Sequence, residues 1–217
     1  MIWLKRFCLA AAILTVCGCY FPSDFRADLQ IDSYGNYVFR YKGKLTNLSL
    51  LKEIAVGNLK DAELTKKVLM VQRDLARDRG FGKGISIERR IRHIRHIGNS
   101  TFRVAYKRKG NISLERSFNF IRFNSRILSL SRVPYKNKHN KGWLIKIIGD
   151  KPNEDLIKAL EKSKLVADGR LRIQTEGSVL RHNADKSYRT GSSVVYVWNF
   201  KTFSRTPPFL FLRLQSQ

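Results

Sequence analysis

All three cysteines of this chain, Cys8, Cys17 and Cys19, fall within its first nineteen residues. From Tyr20 to Gln217 there is no thiol, so the body forms no internal disulfide and offers no thiol nucleophile and no cysteine metal ligand. Its stability must come from an ordinary packed core. The residues before Tyr20 say why such a chain would nevertheless belong to an oxidising compartment.

That start, MIWLKRFCLAAAILTVCGC, has the three parts of a secretory leader: Lys5 and Arg6, an apolar stretch from Phe7 to Val16, and the small Gly18 before Cys19. The apolar stretch is short for a membrane span, which takes about 20 residues. The segment Val16-Cys17-Gly18-Cys19 resembles the bacterial lipobox, which would put the cut between Gly18 and Cys19 and lipid on Cys19. Cys17 fits worse, because Val16 would have to fill the small-residue position. Simple secretion and an uncleaved amino-terminal anchor are the alternatives. The lipobox resemblance implies a diacylglyceryl group on the sulfur and a further acyl chain such as palmitate on the new amino group. At about 0.8 kcal/mol per buried methylene, two or three such chains anchor a protein stably. Tyr20 stands where an aspartate would signal inner-membrane retention, so outer-membrane or surface placement is favoured if the cell has two membranes.

The expected organisation is therefore a signal peptide over 1–18, a lipidated tether over 19–27 and a body over 28–217, as one unit or as two divided near 80–85 or near 150. Removing 18 residues from 217 leaves 199, enough for a sizeable core. The formal charge of +25 becomes about +23 when Lys5 and Arg6 leave. It is concentrated: between Arg79 and Lys146 there are 18 Lys and Arg against Glu88 and Glu115 alone, a net +16. Such a field attracts polyanions and anionic surfaces without defining a fold.

Alternation of apolar and polar residues predicts a β-hairpin, Asp28 to Asp32 and Tyr37 to Leu45 around a turn at Ser33 to Asn36. Leu48 to Val56 reads as a short helix. Asp61 to Arg79 reads as a longer one, with Leu64, Val68, Val71 and Leu75 on one face and Asp61 and Glu63 in the first turn. Strand-like runs follow at Thr101 to Lys107, Ile127 to Val133 and Trp143 to Ile148. Glu154 to Lys164, capped by Asn153, reads as helix. The last runs, Arg170 to Thr175, Val179 to His182, Val194 to Phe200 and Phe209 to Leu214, read as strands. The expected fold is α+β, a largely antiparallel sheet or sheets with one long helix and one or two shorter ones.

Two stretches carry a family resemblance, Asp28-Leu-Gln-Ile-Asp-Ser-Tyr-Gly-Asn-Tyr and the carboxy-terminal Ile173-Gln-Thr-Glu-Gly-Ser-Val-Leu-Arg-His-Asn-Ala-Asp with Val197-Trp-Asn-Phe. An aspartate-led hairpin soon after the lipidated cysteine, and a strand, a glycine, a strand ending in Asn and a Trp-bearing strand, resemble the LppM-like envelope lipoproteins of mycobacteria. That resemblance implies an α+β envelope lipoprotein of ill-defined activity and supplies no catalytic residues.

Within the basic stretch, Arg89-Arg-Ile-Arg-His-Ile-Arg-His-Ile97 has isoleucine at every third residue, matching neither a clean strand nor a helical face. Its His93 and His96 could approach each other on a helix, but no carboxylate or thiol completes a metal site. Arg79-Gly-Phe-Gly-Lys-Gly84 has phosphate-loop glycines without phosphate-loop spacing and reads as a connector. His182 and Asp185 hold a base and an acid without a marked nucleophile, and 183–187 reads as a turn. Phe102, Tyr106, Phe118, Phe120 and Phe123 interleave with cations. They would make a stacking platform for single-stranded nucleic acid if exposed, whereas strand alternation turns them to the core.

No catalytic residue, metal or cofactor is predicted. The expected function is that of a membrane-anchored, non-enzymatic envelope lipoprotein whose basic surface meets anionic lipid, polysaccharide or an envelope protein. The candidate anion contacts are Arg89, Arg90, Arg92, Arg95, Arg103, Lys107, Arg108 and Lys109. A surface-anchored nucleic-acid binder is the alternative.

Overall fold

The computed structural model describes residues 20–57, 59–121, 127–137, 140–150, 154–163, 165–201 and 206–214. The leader with Gly18 and Cys19, the ring of Phe123 and the Asn153 cap lie outside these residues. The molecule is mostly β, which corrects the expected α+β fold. Its strands are β1 (Tyr20–Ile31), β2 (Asn36–Asn47), β3 (Arg95–His96), β4 (Thr101–Asn111), β5 (Ser117–Phe120), β6 (Leu128–Asn137), β7 (Asn140–Gly149), β8 (Gly169–Thr175), β9 (Ser178–His182), β10 (Lys186–Thr190), β11 (Ser193–Phe200) and β12 (Phe209–Arg213). They form a seven-stranded sheet in the order β10-β11-β8-β1-β2-β4-β3 and a five-stranded sheet in the order β5-β6-β7-β12-β9.

The helices are short: α1 (Leu48–Ala55), α2 (Asp61–Ala76), α3 (Ile87–Arg92), α4 (Ile112–Glu115) and α5 (Glu154–Lys162). The long helix expected over Asp61 to Arg79 stops at Ala76. Asp78 then takes the Gly80 amide on its side chain at 2.9 Å and starts a 3-10 turn. More of the chain is strand than periodicity suggested. Residues 20–27, read as a tether, are the first part of β1 and pair with both β2 and β8. The turn read at 183–187 is in part the edge strand β10.

The two sheets meet through aromatic rings. Phe39 and Tyr41 of β2 and Tyr106 of β4 lie 5.1, 4.7 and 4.8 Å from the Phe120 ring of β5. Leu29, Ile173 and Trp198 from the first sheet and Leu130, Ile145 and Leu212 from the second join the same buried cluster. Rings at these separations prefer tilted contacts and add to the area they bury. The second sheet draws β5, β6 and β7 from the middle of the chain and β9 and β12 from its end, so the chain crosses position 150 and returns to one core. Gly43 sits where β1 bulges between Ser23 and Arg26. A Cβ there would stand 2.6 Å from the Phe25 Cβ and 2.9 Å from the Asp24 carbonyl.

One face of the seven-stranded sheet is thus sealed by the second sheet. The other face, carrying the alternate residues of the same strands, is mostly left to solvent, with Ser193 and Val195 of β11 buried.

Candidate functional site

The outward face is built by register. Lys186, Val197, Arg172, Asp28, Arg40 and Lys107 stand in one row across β10, β11, β8, β1, β2 and β4. The neighbouring row carries Arg170, Arg26 and Lys42, and the next Lys44, Arg103 and Arg95. Among the described residues in these registered rows Asp28 is the one carboxylate. It lies 3.6 Å from Arg172, and Asp24 at the bulge lies 3.3 Å from Lys44. Like charges opposite one another on adjacent strands repel, so the rows of Arg40 with Lys107 and of Lys44 with Arg103 and Arg95 favour a bound anion that neutralises both partners.

The structure separates the predicted anion contacts. Arg95, Arg103, Lys107 and Lys109 are exposed and share this face. Arg89 and Arg92 are exposed on the short helix α3 instead. Arg90 is buried to 9 % exposure, and its guanidinium donates to the Ala76 carbonyl at 2.7 Å, closing the end of α2. It is a structural residue. Arg108 lies in phase with the inward Tyr106 and is held at the rim of the core. It donates to the Tyr37 hydroxyl at 3.2 Å and to Glu115 at 2.8 Å, with its guanidinium 5.0 Å from the centre of the Phe118 ring. Burial works against its charge, and the Tyr37 oxygen and Glu115 outweigh that, holding Arg108 above its ordinary range.

Sequence reasoning missed the cations contributed by β1, β2, β8 and β10. β2 shows three alternate basic residues and β8 two, β1 and β10 each bring a single one to these rows, and nothing in the chain announces that their registers coincide. The aromatic residues answer the question of a stacking platform: Phe102, Tyr106, Phe118 and Phe120 are all buried and face the core. The His93 and His96 pair acquires no companions, and the described residues contain no cluster of His, Cys, Asp or Glu able to hold a metal. His182 accepts the Ala184 amide on Nδ1 at 3.1 Å and sets its ring 4.6 Å from Tyr196, while Asp185 accepts the Asn199 amide at 2.7 Å. Both serve the turn between β9 and β10.

At the hairpin end of the same face lies a cleft of about 450 Å³, bounded by Gln30, Asp32, Val38, Lys109, Gln174 and Glu176 among others. A second cavity, about 530 Å³, opens between α1 and α2 on a floor of Leu50, Val71, Leu75 and Ile121. Among the described residues no helix is long and apolar enough to cross a membrane.

No family model and no curated protein matches the chain. Among solved structures it is similar to the folded domain of the LppM protein of Mycobacterium tuberculosis, determined by NMR, at 8% sequence identity over 92% of each chain with a TM-score of 0.37.

Proposed function

We propose that this chain is a membrane-anchored envelope lipoprotein that binds anionic partners, without catalysis, through the outward face of its seven-stranded sheet. The carrying observation is the set of registered rows in which lysines and arginines from six strands stand beside one carboxylate. Cations clustered on one face raise the local concentration of polyanions and speed their encounter. The anchor reading is supported by the lipobox-like residues that end at Cys19. Because β1 begins at Tyr20, lipid on Cys19 would fasten the sheet itself to a membrane with no tether between. The end of the sheet nearest Tyr20 carries Lys44, Arg103 and Arg95. Each cation close to an anionic leaflet adds about 1 kcal/mol.

Mass spectrometry of the mature amino terminus tests the anchor: a mass increment of a diacylglyceryl group on Cys19 is expected, and an unmodified Cys19 overturns it. Binding to phosphatidylglycerol vesicles or to heparin tests the face. It should be tight at low salt and weaken steeply as salt rises, and absence of binding at low salt sinks the reading.

A further inference from the structure

We infer that the cleft at the hairpin end of the basic face is a recognition site for an acidic polysaccharide, which names the ligand of the proposed function and rests on that reading. The decisive pair is Gln30 and Gln174, register partners on the parallel strands β1 and β8. Arg40 donates to the Gln30 side-chain oxygen at 3.2 Å, and Arg172 donates to that of Gln174 at 3.0 Å. A guanidinium only donates, so each glutamine must turn its oxygen to the arginine and its amide NH2 outward. Two adjacent amide donors are thereby held beside the cleft.

The other groups suit a polyhydroxylated acid. Lys109 is exposed at the rim, and Glu176 accepts Ser192 on one carboxylate oxygen at 3.1 Å, while no hydrogen bond from the described residues reaches its other oxygen. Asp32 and Asn36 are consumed by the turn: Asp32 takes the amides of Tyr34 and Asn36, and Asn36 bonds Asp32 and Asn111. Amide donors beside a carboxylate acceptor match vicinal hydroxyls, and Lys109 in the cleft, with Arg40 and Arg172 on the face beside it, matches carboxylate or phosphate substituents. The row runs on through Val195, which is buried, to Tyr188, half-exposed on β10, a ring available to the apolar face of a sugar. From Tyr188 to Lys109 it crosses five inter-strand steps of about 4.8 Å, roughly 24 Å, the reach of several linked sugar rings.

Position argues against the bilayer as the ligand. Gln30 lies ten residues along β1 from Tyr20, roughly 33 Å at about 3.3 Å per residue. The potential of an anionic leaflet falls off over about 8 Å at physiological salt. A chain fastened at Cys19 with β1 directed away from the membrane would hold the cleft beyond that field. A single-stranded nucleic acid would instead want several exposed rings; this region exposes Tyr34 at the turn and Tyr188 on the far edge strand, while Tyr37, Phe39 and Tyr106 are in the core.

The test uses the full chain carried in phosphatidylcholine vesicles, with polygalacturonate, poly(dT) and phosphatidylglycerol vesicles as three probes. The Gln30→Ala/Gln174→Ala variant should bind polygalacturonate about ten-fold or more weakly, as befits two lost hydrogen bonds, and the other two probes as before. Tyr188→Ala, on an exposed edge strand, should show the same selectivity with a smaller loss. Arg40→Glu/Lys107→Glu should weaken all three. If only this charge reversal has an effect, or if parent protein prefers poly(dT) or the anionic vesicles, the polysaccharide site is overturned and the basic face stands. If charge reversal changes binding to none of the probes, the basic face itself falls.

Discussion

The two arginines nearest in sequence, Arg89 and Arg90, have opposite fates, and the difference sets what each side chain does. Arg89 meets water; Arg90 reaches the last carbonyl of α2 and satisfies an acceptor that the helix end would otherwise leave orphaned. Arg90→Ala should therefore cost about 1–3 kcal/mol of stability in urea denaturation, with binding to heparin unchanged; a binding loss without destabilisation would return Arg90 to the ligand surface. The buried tyrosines give a second expectation. Burial pushes the Tyr20 hydroxyl up to about 12, and burial likewise raises Tyr41 and Tyr106. The unfolded chain ionises at the ordinary 10.0. Their contribution is thus complete below pH 10 and declines as pH rises through the higher folded values, because the unfolded state gives up its protons first. For Tyr20 alone the loss approaches about 2 kcal/mol. Equilibrium unfolding followed at pH 9, 10.5 and 11.5 should show a falling midpoint, and a flat profile would mean that these hydroxyls ionise as freely folded as unfolded.

At the scale of elements, the hairpin was legible because Tyr34-Gly35-Asn36 supplies turn chemistry and Gly35 adopts a φ of +86°. The helix α2 was legible by its start, where Asp61 and Glu63 meet the helix dipole, and less so by its end, which depends on the cap of Asp78. The segment 20–27 was not legible as strand. Its alternation is broken by the bulge, and its pairing with β8 joins residues about 144 apart, as between Phe25 and Gly169. Nor could the basic face be read, since Arg26, Arg40 and Arg172 become neighbours only through two registers. The bulge yields a sharp expectation. Gly43 lets Phe25 approach the β2 backbone, and Phe25 stacks on Tyr41 at 5.8 Å and meets Phe200 in a tilted contact at 5.5 Å. Gly43→Ala should force that backbone apart and destabilise by about 1–3 kcal/mol, read from the thermal midpoint; an unchanged midpoint would show that β1 yields locally at no cost.

For the whole molecule, charge sets affinity against stability. A chain of net +25 repels itself, and the repulsion is concentrated where Arg40 opposes Lys107 and where Lys44, Arg103 and Arg95 share a row. Adjacent strands set the backbones of neighbouring cations about 5 Å apart, inside the screening length at physiological salt. Ion pairs on that face are few and partly exposed, so they recover little of this. Two consequences follow from the same arithmetic. Added sodium chloride should raise the thermal midpoint of the unliganded protein, since screening relieves more repulsion than attraction. Lys107→Glu should stabilise the protein at low salt by about 0.2–1 kcal/mol and raise the midpoint accordingly, because an opposite-charge pair replaces a like-charge one across β2 and β4. The same substitution should weaken heparin binding and flatten its salt dependence. Thermal melts and binding isotherms on one preparation compare the two directly. If Lys107→Glu proves both less stable and equally able to bind, the rows are not a field held in tension for an anion, and the cations owe their places to something other than ligand binding.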